Sequence, residues 1–136
     1  MKAYTDLEQS KKLAEILSID SADMAYIKHS SSDNPTWRFD NDMPPMVLSN
    51  TPIDEITAEI LPCWSLAALL EEIPSTIVNN VGEDLKLHID KDNLQYSLFY
   101  ENEYTGDMFE IETELYDDMI DACYEMILKL HDKNLI

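Results

Sequence analysis

Glycine is nearly absent. Gly82 and Gly106 are the only two in 136 residues, which excludes a glycine-rich loop whose backbone amides cradle phosphates. Cysteine is as scarce. Cys63 and Cys123 both sit in apolar contexts that read as helical, so two buried thiols are expected in preference to a disulfide. Basic residues number 9 against 28 acidic ones, for a formal charge of −19, and none lies between Phe39 and Leu85. Holding phosphates or an anionic lipid surface takes Lys and Arg, so direct nucleic-acid binding and adhesion to such a membrane are not expected. No apolar run approaches the roughly 20 residues that span a bilayer. The opening Met1 to Glu8 has no hydrophobic run and no cleavage-site pattern, so no secretory signal is expected and reduced cytoplasm is the expected compartment.

Metal and nucleophile patterns are missing too. His29, His88 and His131 are far apart, and none forms a ligand spacing with another His or with either Cys, so no metal and no other cofactor is expected. Asp90, Asp92 and Glu101 occupy places one, three and twelve of a calcium-loop frame, but Leu94 and Gln95 stand where an oxygen ligand and a Gly belong. A β-hairpin is the reading adopted there. Cys63 precedes a helix, whose N-terminus could activate a thiolate. No basic residue stands near it in sequence, and an inert buried thiol is expected.

What is present is a hydrophobic fraction of 45%, enough for one domain with a real core. Its centre is Pro62 to Pro74, the most apolar stretch. Ser65 can cap a helix, Leu66, Leu69, Leu70 and Ile73 recur at one-turn spacing, and Pro74 stops it. Pro-Cys-Trp-Ser-Leu-Ala-Ala-Leu-Leu within this stretch, the opening Tyr4 to Ala14 and the closing Asp121 to Ile127 resemble phrases in small acidic proteins of gut-bacterial prophages and mobile elements. That group has no assigned activity. The resemblance implies a provenance and a single-domain fold, and it carries over no catalytic residue.

Along the chain, Thr5-Asp6-Leu7-Glu8 reads as a capping box that opens a helix to about Leu17. Ala22–Lys28 reads as a short strand, and Thr36–Phe39 as a possible second one with Trp37 and Phe39 on one face. Thr51-Pro52 has the form of a helix start, with Ile53, Ile56 and Ile60 at helical spacing to Leu61; Ile56–Leu61 could also be extended. Ser75–Asp84 reads as a connection. Leu85–Ile89, Leu94–Tyr100 and Met108–Glu112 alternate as the strands of a meander. Leu115, Met119, Ile120, Cys123, Ile127 and Leu130 form the stripe of a C-terminal amphipathic helix of about 17 residues. The expected architecture is a single α+β domain over residues 1–136. A small, mostly antiparallel sheet, with its meander at about 85–112, is packed by N-terminal, central and C-terminal helices. Leu13, Leu17, Trp64, Leu69, Met119, Cys123 and Ile127 are the expected helical contribution to the core.

The acidic stretch from Glu101 to Glu125 contains no Lys or Arg. Glu110, Glu112 and Glu114 alternate along a strand, and Asp117, Asp118, Asp121 and Glu125 are expected on the outer face of the following helix. A solvated face explains such a run most simply. The functional alternative is a docking surface for a basic protein, which makes a non-enzymatic accessory protein the leading expectation. Two further alternatives stay open: a mimic of nucleic-acid phosphates that inhibits a DNA-binding protein, and a self-assembling structural protein with an apolar contact face on which Tyr96, Tyr100 and Tyr104 would matter. Oligomeric state is not fixed by sequence. An enzyme would require a pocket with convergent polar groups, which sequence does not reveal.

Overall fold

The computed structural model describes residues 1–30, 36–40, 42–49, 59–105 and 108–136, with the side chains of 108–110 left aside. The chain clusters into two compact units, Ala3–Ala68 and Leu69–Ile136, the latter joined by Met1–Lys2.

The first unit begins with α1 (Leu7–Ala14), continues through a 3-10 turn (Ile19–Ser21) and builds a sheet from β1 (Met24–Ile27), β2 (Met46–Val47) and β3 (Ile60–Cys63). The sheet order is β2-β1-β3, antiparallel throughout. Helix α1 packs on β3, and the core between them holds Leu7, Tyr26, Leu61 and Cys63, with Tyr4, Met24 and Phe39 against it. The cap of α1 is Asp6, one residue later than expected. Asp6 accepts from the Gln9 amide at 2.8 Å, and the Gln9 side chain accepts from the Asp6 amide at 3.1 Å. Thr5 is not free to cap because its hydroxyl is fully buried in other bonds, described below.

The helix expected through Leu61 is not found at its end. Residues 51–58 lie outside the described set, and Ile60 and Leu61 are extended in β3, as the alternative reading allowed. Pro62 lies inside that strand, opposite Ala25. Antiparallel pairs alternate between bonded and non-bonded positions. The Lys28 amide bonds the Glu59 carbonyl at 3.1 Å, and stepping from that pair puts Pro62 in a non-bonded place. Its missing N–H is therefore on the side away from β1, and no bond to β1 is lost. Thr36–Phe39 contributes only an isolated bridge, Arg38 to His29.

Helix α2 (Leu66–Glu72) carries the backbone from the first unit into the second. Ser65 caps it, accepting from the Ala68 amide at 3.3 Å, and Pro74 follows its last turn as expected.

The second unit is a four-stranded antiparallel sheet in the order β4 (Thr76–Val78), β5 (Asp84–Asp92), β6 (Gln95–Glu101), β7 (Met108–Glu112). It is followed by α3 (Met119–Asp132), which packs on β6 and β7. The expected meander is present, and β4 adds a strand within the stretch read as a connection. Asn93 and Leu94 form a two-residue turn between β5 and β6, with Asn93 at φ 56°. Leu94 is therefore an exposed turn residue and not the first of the strand. Leu85, Leu98, Tyr100, Ile111, Ile120, Cys123, Met126, Ile127 and Leu130 are buried. Helix α3 begins later than the hydrophobic stripe suggests: Leu115 is half exposed, and Tyr116 instead exchanges backbone bonds with Tyr96 at 2.7 and 2.9 Å.

The α+β class and the antiparallel pairing are thus as expected, with two small sheets in place of one. All seven expected helical core residues are buried or half-buried. Among the described residues no helix is long and apolar enough to cross a membrane.

Candidate functional site

The acidic stretch leaves β7, crosses a short turn and enters α3. Glu112, Glu114 and Asp117 are exposed. Between them the buried Thr113 anchors the chain: its hydroxyl accepts from the Leu98 amide at 2.9 Å, and its own amide bonds the Leu98 carbonyl at 2.8 Å. With Thr113 turned inward, its two neighbours turn outward. Asp117 accepts from the Gln95 side chain at 3.1 Å. The side chain of Glu110 is outside the described set.

The helix carboxylates have other tasks. Asp118 is the buried N-cap of α3, accepting from the Ile120 amide at 3.2 Å and from the Lys2 amide. An acid there also complements the positive end of the helix. Asp121 is 2.8 Å from the Lys2 ammonium. Glu125 pairs with Lys129 at 3.1 Å, four residues on, and its other oxygen lies 3.4 Å from the Glu114 amide. Lys129 also donates to the Glu112 carbonyl at 2.6 Å. Tyr116 completes this edge. A hydrogen bond to Glu125, then burial, then the charges of Glu125, Glu114 and Asp121 push its phenol up to about 12. The seven expected acids therefore do not share one role. Glu112, Glu114 and Asp117 present charge outward, whereas Asp118, Asp121 and Glu125 tie α3 to its surroundings. Sequence spacing does not reveal Lys2 or Tyr116 as their partners, because Lys2 is distant in the chain and Tyr116 reads as part of the helix, whereas Lys129 stands four residues after Glu125, the spacing that pairs side chains along a helix.

Cys63, the other residue weighed for chemistry, belongs to a buried polar knot. Thr5 Oγ1 is 2.8 Å from Ser10 Oγ and accepts from the Trp64 amide at 3.2 Å. The Thr5 carbonyl accepts from Tyr26 Oη at 2.8 Å and from Cys63 Sγ at 3.4 Å. Burial raises the Cys63 thiol, opposed by bonds to Thr5, Ser10 and Tyr26, and burial first raises the Tyr26 phenol as well. Both groups are held neutral, the reverse of what a thiolate nucleophile needs. Beside the knot, Asp23 accepts from the Ser65 amide at 2.9 Å and from its hydroxyl, and Trp64 Nε1 donates to Ser21 at 2.9 Å. These bonds fix the start of α2.

On the outer face of the second sheet, His88 stacks on Phe99 at 5.3 Å with planes 7° apart, and its Nε2 is 3.6 Å from Glu101. Tyr100 points the other way, fully buried, and donates to the Pro74 carbonyl at 2.6 Å, so it is not part of an outer tyrosine face. Tyr104 is exposed. No group of three or more His, Cys, Asp or Glu that could hold a metal ion occurs among the described residues.

Comparison with protein-family models, with curated proteins and with solved structures finds no match.

Proposed function

We propose that the chain is a non-enzymatic accessory protein that binds a basic protein partner through the turn joining β7 to α3. The observation that supports this reading is the outward placement of Glu112, Glu114 and Asp117. The two lysines paired at this junction, Lys2 and Lys129, are both engaged locally. Exposed carboxylates of one sign steer an oppositely charged partner and raise its rate of encounter. A net charge of −19 opposes self-association and favours a basic protein.

The test is affinity capture from native-host lysate with the wild-type chain and with Glu112→Gln/Glu114→Gln/Asp117→Asn, each at near-physiological and high salt. The reading expects one stoichiometric partner, lost at high salt through screening and lost in the triple variant. A partner retained by the triple variant overturns it. If added duplex DNA displaces the partner, the surface acts as a phosphate mimic.

A further inference from the structure

The acidic turn already carries cations, and they belong to the chain itself. Lys129 donates to the Glu112 carbonyl at 2.6 Å and pairs with Glu125 at 3.1 Å, so it holds the turn to α3. Lys2 is placed differently. Its amide donates to Asp118, and its ammonium is 2.8 Å from Asp121. Asp118 caps α3, and Asp121 is in the first turn of that helix. Asp121 shares an edge with the outward acids, because one phenol, that of Tyr116, feels the charges of Glu125, Glu114 and Asp121 together. The side chains of Lys2 and Asp121 keep 37% and 27% of their exposure. Water reaches both, so the pair can open without disturbing the core.

A basic partner would bring lysines to this edge, and Lys2 is a lysine already on it. Being part of the same chain, it competes at an effective concentration that no dilution lowers. We propose that Lys2 is an autoinhibitory contact: its ammonium occupies Asp121 until a partner's lysine displaces it. The proposal rests on the docking role of the turn and adds its regulation. An exposed ion pair is weak, so the contact lowers the affinity of a partner by about two- to fivefold and does not close the surface.

The test titrates tetralysine, blocked at both ends, into the chain at near-physiological salt, followed by amide NMR. Lys2→Ala is compared with Lys86→Ala, which removes the same charge from the other end of the sheet. Lys86 pairs with Glu103 at 3.1 Å. It lies roughly 17 Å along β5, at about 3.4 Å per residue, from Lys91, which is opposite Tyr96 and so next to the bridge to Tyr116. That is about twice the roughly 8 Å over which salt screens a charge. Lys2→Ala is expected to bind tetralysine about two- to fivefold more tightly than the wild type, with a larger shift of the Asp121 amide. Lys86→Ala should stay within about 1.5-fold of the wild type. No gain in Lys2→Ala overturns the proposal, and so do equal gains in the two variants, since the charge of the whole chain would then explain them. The Glu112→Gln/Glu114→Gln/Asp117→Asn variant separates the two roles. If it binds tetralysine as the wild type does, the docking role fails and the autoinhibitory one with it. If it loses the peptide while Lys2→Ala gains nothing, docking stands and only the autoinhibitory contact is overturned. A retained amide spectrum certifies the folding of each variant.

Discussion

Replacing Thr5 by Val keeps the shape of a fully buried side chain and removes only its hydroxyl. The Trp64 amide then loses the acceptor it has at 3.2 Å. The Ser10 hydroxyl loses its 2.8 Å partner and keeps a 3.5 Å contact to the carbonyl of residue 5. An orphaned buried donor costs about 1–3 kcal/mol, so Thr5→Val should destabilise by about 2–4 kcal/mol. Thr5→Ser keeps the hydroxyl and loses one methyl, for about 1 kcal/mol. Urea unfolding followed through Trp64 in a Trp37→Phe background reads both, and with m-values of about 1–3 kcal/mol/M the Val midpoint should fall by about 1–2 M. Ser10→Ala combined with Thr5→Val should cost less than the two alone, because either single change breaks the same pair. A Ser variant as damaged as the Val variant would refute the reasoning, since packing and not hydrogen bonding would then explain the site.

The two tryptophans should report separately: Trp64 is fully buried and Trp37 is 67% exposed. Acrylamide should quench most of the wild-type emission that Trp37→Phe removes, and leave that variant blue-shifted and protected. Asp118→Ala should lower stability by about 1–2 kcal/mol through loss of the α3 cap, whereas Asp117→Ala should stay within about 0.5 kcal/mol; denaturant midpoints of the two will show whether they differ. Burial pushes the Cys123 thiol up to about 12. A raised folded-state value means that this contribution to stability is intact below the unfolded value near 9 and is lost as pH rises toward 12. Cys123→Ala should flatten the stability profile in that window, and a profile as steep as wild type would show that the thiol plays no part.

Much of the fold is legible from local rules. Ser65 and Pro74 bound α2 because a hydroxyl cap and a missing amide act within one turn, and β5 and β6 follow from alternation. The departures occur where distant contacts decide. Thr5 has the right chemistry for a cap, but Trp64 and Ser10 claim its hydroxyl. Ile60 and Leu61 keep helical spacing, but pairing with Tyr26 and Ile27 draws them into a strand. Thr76-Ile77-Val78 is a β-branched run before Asn79-Asn80-Val81-Gly82, a hairpin signal that identifies β4 once Gly82 is given its positive φ of 82°. The outward acids Glu112 and Glu114 could be read from strand alternation. The bridge from His29 to Arg38 could not, because the sequence between them carries no period.

The bonds from Lys2 to Asp118 and Asp121 have a consequence for synthesis. Residues 3–68 form their unit from a continuous stretch, which is available once Ala68 has been made. The other unit takes in Lys2, whose bonds to Asp118 and Asp121 cannot form until those two residues have been made. At about 5–20 residues per second, several seconds separate the two events. Lys2 therefore waits for a carboxylate that has not yet been translated.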